Sequence, residues 1–106
     1  IPSGMLVPAL GAMATVAERM GVPIIASSHH PVQQGLATAA MSVSWDQIGF
    51  AAGRLAVEIL RGKRPAELAN ARPTAAQHQP AISAKKMAQL KLTIPESLRD
   101  CGCIIP

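Results

Sequence analysis

The sequence predicts an α/β fold of the layered, Rossmann-like kind, in which helices cover parallel strands. Two observations support this prediction. Segments with helical spacing of apolar residues alternate with short β-branched, apolar runs. Each change between them falls near a glycine, a proline or a helix-capping serine. Such alternation is typical of strand–helix–strand units with right-handed crossovers. We therefore expect one α/β unit over residues 1–106, with a tail from about residue 99 to 106.

The first helix is predicted over residues 6–20, where apolar side chains recur every three or four positions. Pro8 suits its first turn, and Gly21 suits its end. Residues 22–26 follow, β-branched and apolar on both faces, as in a buried parallel strand. The next stretch, "ASSHHPVQQG" at residues 26–35, is then a loop at the carboxyl end of that strand.

A second strand is predicted at residues 36–43. Ser44 then begins a helix, with Gln47 placed as in a capping box, and Gly62 and Pro65 end it. Residues 63–80 form a long connection, and a strand is expected near its end, at residues 77–79, leading to Ile82. A final helix capped by Ser83 is expected at 84–90, and one more turn at 95–98.

Composition excludes several function classes. One Trp, one Phe and no Tyr leave almost no surface for stacking bases, which argues against nucleic-acid binding despite a net charge of +4. The basic group at residues 61–64 falls at a helix end, where cations complement the helix dipole. No apolar run reaches 18 residues, so no membrane span is expected. Cys101 and Cys103 suit neither an ordinary disulfide nor zinc, and we expect a mobile tail with reactive thiols.

The strand-end cluster, which we define as Ser27, Ser28 and His29, is the main candidate site. Ligands in open α/β sheets bind outside the carboxyl ends of the strands. Three interpretations are open: a ligand-contacting loop, a solvated loop, or a Ser–His active site. Catalysis lacks a G-x-S-x-G elbow and an orienting acid, and zinc lacks a third ligand beside His29 and His30. We therefore assign no catalytic residue, metal or cofactor.

The order and spacing of several motifs resemble the C-terminal portion of ABC-transporter substrate-binding proteins of the tryptophan/tyrosine type. The resemblance covers essentially the whole chain. Its main motifs are "SWDQIG" at 44–49, "ILRGKRPAEL" at 59–68 and "PAISAKKMAQLKLTIPESL" at 80–98.

The resemblance implies part of a periplasmic-binding-protein fold of type I, whose two lobes close on a small ligand without catalysis. It implies a solute-binding component of an ABC importer, periplasmic or otherwise extracytoplasmic, with a membrane permease as partner. The residues that it places at the cleft are Ser3, Met5, Ser27, Ser28, His29, Ser44 and Trp45. Because the chain matches only a portion, we also expect unpaired strand edges to favour association with another copy.

The chain departs from the family pattern at the expected cleft. Ser44 and Trp45 stand where members often have Asp and Tyr, and His29 and His30 stand in a loop that is usually acidic. No acid at these positions would neutralise a ligand ammonium, which argues against an ordinary amino-acid ligand. The other functional hypotheses are a ligand-sensing regulatory domain on the same fold and a small enzyme that uses Ser28 and His29.

Overall fold

The computed structural model describes residues 8–106 as an α/β structure with a four-stranded sheet in the order β1-β2-β3-β4. The elements are α1 (Leu10–Met20), β1 (Ile25–Ala26), α2 (His30–Gln33), β2 (Ala39–Val43), α3 (Trp45–Leu60), β3 (His78–Ser83), α4 (Ala84–Gln89) and β4 (Ile104–Ile105). Short 3-10 turns lie at Pro65–Glu67, Ala75–Gln77 and Glu96–Leu98. The predicted fold class and the turn near residue 96 are confirmed.

The chain divides into two compact units. The sheet unit comprises residues 8–42 and 79–106 of the described chain, and the helix unit comprises Val43–His78. The sheet unit contains most of the sheet with α1, α2 and α4, whereas the helix unit contains α3 and the connection that follows it.

Helix α1 ends where the sequence predicts. Gly21 has a φ of 66°, in the left-handed region that a residue with a Cβ rarely adopts. The Gly21 N–H donates to the Glu18 carbonyl at 3.2 Å, and the Val22 N–H donates to the Ala17 carbonyl at 2.9 Å. These bonds satisfy carbonyls that a helix end leaves without partners. The predicted start at residue 6 lies outside the described residues.

The two predicted strands are shorter than the apolar runs that suggested them. Thr38 explains the difference, because its Oγ1 accepts from the Ile24 N–H at 3.2 Å and its own N–H donates to the Ile24 carbonyl at 2.8 Å. The Ile24 N–H therefore bonds to a side-chain oxygen instead of a backbone carbonyl, and the regular pairing of the two strands does not extend to this position. The strand pairing of β1 with β2 begins at Ile25 opposite Ala39.

The sheet is mostly parallel. Strands β1 and β2 are parallel, as are β3 and β4. Between β2 and β3, the Ser83 N–H donates to the Thr38 carbonyl at 2.9 Å, and Ser42 Oγ lies 3.4 Å from the Gln79 carbonyl oxygen. Residue numbers rise on one strand as they fall on the other, so this central pair runs antiparallel.

The core lies in the sheet unit and is built almost entirely from alanine. Its buried members are Ala26, Val32, Ala37, Ala40 and Ala81, with Ile24 and Ile105 packed against them. Val32 is the largest fully buried side chain, at 1% exposure. Because α2 supplies it, the second half of the stretch predicted as a loop is part of the core. Pro31, which suits a first helical turn, was the available signal for this helix.

The predicted mobile tail with reactive thiols is wrong. Strand β4 lies beside β3 with Ile104 opposite Ile82, and the Ile82 N–H donates to the Cys103 carbonyl at 2.9 Å. Cys101 and Cys103 form a disulfide, with their Cα atoms 5.1 Å apart. The apolar residues 104–105 therefore form the edge strand of the sheet.

The two predicted serine caps differ in the structure. Ser83 Oγ accepts from the Lys86 N–H at 3.2 Å at the start of α4, as predicted. Ser44 precedes α3 with extended backbone, but its side chain makes no capping bond, so the predicted start is confirmed without the capping box. Within residues 8–106, none of the helices is long and apolar enough to cross a bilayer.

Candidate functional site

The strand-end cluster lies directly after β1, as the sequence predicts. Ile25 and Ala26 are held by β2, and the backbone then bends at Ser27, Ser28 and His29 before α2 begins. Ser27 is exposed, while Ser28 and His29 are half-buried. The cluster is therefore anchored on one side by a paired strand and on the other by the buried start of α2.

His29 is fixed by a long-range hydrogen bond. Its Nε2 lies 2.8 Å from the backbone carbonyl oxygen of Gln79, at the start of β3. A carbonyl only accepts, so Nε2 is the nitrogen that holds the proton and donates. In the neutral ring, Nδ1 is then an acceptor, and the described residues give it no partner.

Ser42 and Gln79 belong to this site, although sequence analysis did not identify them. The Ser42 hydroxyl directs its proton toward the same Gln79 carbonyl, at the longer distance of 3.4 Å. The sequence places Ser42 near the end of a strand, which is a usable signal. Gln79 acts through its backbone, so no side-chain pattern could have revealed it.

The structure separates the predicted residues into groups. Ser27, Ser28 and His29 belong to the sheet unit, and Ser44 and Trp45 belong to the helix unit. Trp45 is 79% exposed and Ser44 is half-buried. Ser3 and Met5 lie outside the described residues. Among the predicted residues that the structure describes, His29 makes a long-range hydrogen bond within its own unit, to the Gln79 carbonyl.

The sheet unit also has a cavity of about 370 Å³, which no predicted site residue lines. It lies at the ends of α1 and α4, beside residues that precede the strands, such as Ile24 and Thr38. Lys86 lines it with a side chain only 9% exposed, and its Nζ pairs with the Glu18 carboxylate. This ion pair compensates the burial of the ammonium.

The helix unit has a groove of about 420 Å³ between α3 and residues 70–77. Its apolar wall includes Ile48 and Leu55. Exposed ion pairs lie elsewhere on this unit: Lys63 Nζ and Glu58 Oε2 are 2.5 Å apart, and Arg64 Nη2 and Glu67 Oε1 are 2.6 Å apart. Hydrogen bonds from these cations lower the pKa of both carboxyls.

The geometry favours binding over chemistry at the strand-end cluster. The hydrogen bond of His29 Nε2 goes to a backbone carbonyl, which orients the ring but supplies no negative charge to stabilise a protonated base. Among residues 8–106, no three His, Cys, Asp or Glu side chains are grouped as a metal site requires. What the cluster offers is hydroxyl groups and an oriented imidazole at a strand end.

Comparisons with known proteins agree with this architecture. A solved structure, of a conserved domain protein from Vibrio cholerae, is similar with a TM-score of 0.71 and 25% identity. The match covers 92% of this chain and 32% of that one, so the chain spans about a third of its structural relative. No curated protein sequence matches the chain.

The model of one protein family matches residues 3–101, nearly the full length of the chain. That match includes β1, the strand-end cluster and the whole of α3. The chain therefore belongs to the ABC transporter substrate-binding protein family.

Proposed function

We propose that this chain is part of the solute-binding component of an ABC-type importer and binds a small molecule without catalysing a reaction. The main support is the family match over residues 3–101. The polar strand-end cluster agrees with it, because ligands of open α/β sheets bind at the carboxyl ends of strands. We place the fold among the type I periplasmic-binding proteins and the protein outside the cytoplasm, with a membrane permease as partner.

In this proposal, Ser27, Ser28 and His29 form one side of a ligand cleft. The hydroxyls and the imidazole bind the polar end of the ligand, and the paired strand behind them keeps their positions fixed. Closure of the cleft around the ligand is then the event that the permease recognises. We also propose Ser44 and Trp45 as ligand-contacting residues, with the exposed indole available to pack against an apolar part of a ligand.

Nuclear magnetic resonance on the ¹⁵N-labelled chain tests this proposal. The probes are single sugars, polyols, amides and amino acids, including aromatic amino acids, which the tryptophan/tyrosine-type family suggests. We expect at least one probe to shift the backbone amide signals of residues 27–29 and 42 in a saturable way.

A matched pair of variants separates the site from its surroundings. His29→Ala should raise the dissociation constant of that probe roughly three- to tenfold, which corresponds to one lost hydrogen bond. His30→Ala should bind the probe as tightly as the parent chain does. His30 is the control because it is exposed and neighbours His29 in sequence. Saturable shifts confined to residues far from the cluster, or equal losses in both variants, would contradict the proposal.

A further inference from the structure

The hydrogen-bonding atoms of His29 and Ser42 supply donors and acceptors unequally. His29 uses its Nε2 proton on the Gln79 carbonyl at 2.8 Å. Ser42 directs its single hydroxyl proton at the same oxygen, at 3.4 Å. A carbonyl oxygen has two lone pairs and accommodates both donors. The atoms that remain available on these two side chains, His29 Nδ1 and Ser42 Oγ, are therefore acceptors.

Charge at the cluster adds a second constraint. Within the described residues, the hydrogen bonds of His29 and Ser42 go to the Gln79 carbonyl, and no carboxylate is bonded to either side chain. A ligand ammonium would thus be desolvated beside neutral acceptors, which costs more than desolvating a hydroxyl or amide. A carboxylate ligand has no proton to offer to Nδ1 and would face an acceptor directly.

We infer that His29 is a specificity-determining residue, and that the ligand presents an uncharged donor, a hydroxyl or an amide N–H, to its Nδ1. This inference rests on the proposed binding function and narrows the ligand class. The Gln79 carbonyl favours the His29 tautomer with its proton on Nε2. In that tautomer Nδ1 is an acceptor, so it favours ligands that donate a hydrogen bond over anionic ligands.

The first test concerns the ring itself. Long-range ¹H–¹⁵N correlation spectra at pH 8 identify the protonated ring nitrogen of each histidine. We expect the proton of His29 on Nε2. A proton on Nδ1 would overturn the inference without affecting the proposed function.

The second test uses three probes that share a phenyl ring and differ in the polar end: 2-phenylethanol, 2-phenylethylammonium and phenylacetate. Titrations followed at residues 27–29 and 42 should give the alcohol a dissociation constant roughly tenfold lower than those of the ions. The sharpest competitor is the ammonium, because Asp100 lies four residues before β4, the strand that neighbours β3.

The variants His29→Phe and His30→Phe complete the design, since each keeps an aromatic ring and removes both nitrogens. The preference for the alcohol should fall to within about threefold in His29→Phe and persist in His30→Phe. Tighter binding of either ion at the cluster overturns the inference and leaves the proposed function in place. If none of the three probes shifts the signals of residues 27–29 and 42, both the inference about His29 and the proposed binding function are overturned for this site.

Discussion

The sheet unit and the helix unit use the same kind of amphipathic helix with different results. In the sheet unit, α1 has only 11 residues, yet Leu10 and Ala14 are buried. In the helix unit, α3 has 16 residues and a clear apolar periodicity, yet no residue along it is buried. Exposed apolar side chains on α3 include Ile48, Val57 and Leu60.

The difference teaches that apolar periodicity identifies the face of a helix that seeks burial, but not the partner that supplies it. Helix α1 belongs to the unit with most of the sheet, whereas α3 shares its unit only with a connection made of turns. Substitutions in the two units should therefore have different energetic effects even when the chemistry of the change is identical.

The largest expected effect is a contrast between two valines. Val32→Ala removes two methyl groups from a fully buried site and should lower the free energy of unfolding by about 2 kcal/mol. Val57→Ala makes the same change at a residue that is 43% exposed, and should alter the free energy of unfolding by no more than about 0.5 kcal/mol. Urea unfolding followed by circular dichroism measures both.

The valine pair also tests the assignment of α2 to the core. If residues 30–33 were part of a loop outside the core, as the sequence predicted, Val32→Ala would resemble Val57→Ala in its effect on the free energy of unfolding. Equal effects of the two substitutions would contradict the placement of Val32 among the buried alanines.

Sequence patterns predicted the parts of the fold that depend on local backbone chemistry. The left-handed Gly21 ends α1, Ser83 caps α4, and Gly62 with Pro65 prevents α3 from continuing. Each of these signals acts within a few residues, so one chain segment contains the whole cause. The position of the strand-end cluster follows for the same reason, because β1 and the bend after it are adjacent in sequence.

Long-range pairings were the parts that the sequence could not reveal. The tail joins the sheet because Ile104 finds Ile82, twenty-two positions earlier in the chain. His29 is oriented by the backbone carbonyl of Gln79. Every residue has such a carbonyl, so only its position in the fold distinguishes this one. Backbone partners of this kind have no residue-type signature, and only the register between β2 and β3 brings Gln79 to the site.

A second contrast uses two glycines whose added Cβ would meet no atom within 4 Å. Gly21→Ala forces a side chain into a φ of 66° and should destabilise the sheet unit by about 1 kcal/mol. Gly49→Ala lies inside α3 and should stabilise the chain by roughly 0.5–1 kcal/mol, because alanine favours helix. Thermal unfolding should show opposite shifts, and shifts of one sign would contradict the assigned backbone conformations.

The smallest expected effect concerns the exposed ion pairs of the helix unit. The pKa of Glu58 is lowered chiefly by its hydrogen bond with Lys63 and next by the charge of Lys63, with Arg61 contributing less. A folded pKa below the unfolded value means that this contribution to stability is complete above the unfolded pKa. It is lost as the pH falls through the folded pKa.

Lys63→Met should therefore raise the pKa of Glu58 more than Arg61→Met does, since Lys63 Nζ is 2.5 Å from the carboxylate and Arg61 Nη1 is 3.5 Å from it. Titration of the Glu58 carboxyl carbon by nuclear magnetic resonance measures the difference, which should shrink in molar salt. Glu67 pairs with Arg64 and serves as the control that neither substitution moves. Equal shifts from the two substitutions would assign the lowered pKa to the general positive charge at the end of α3, and the helix unit would then depend on no particular ion pair.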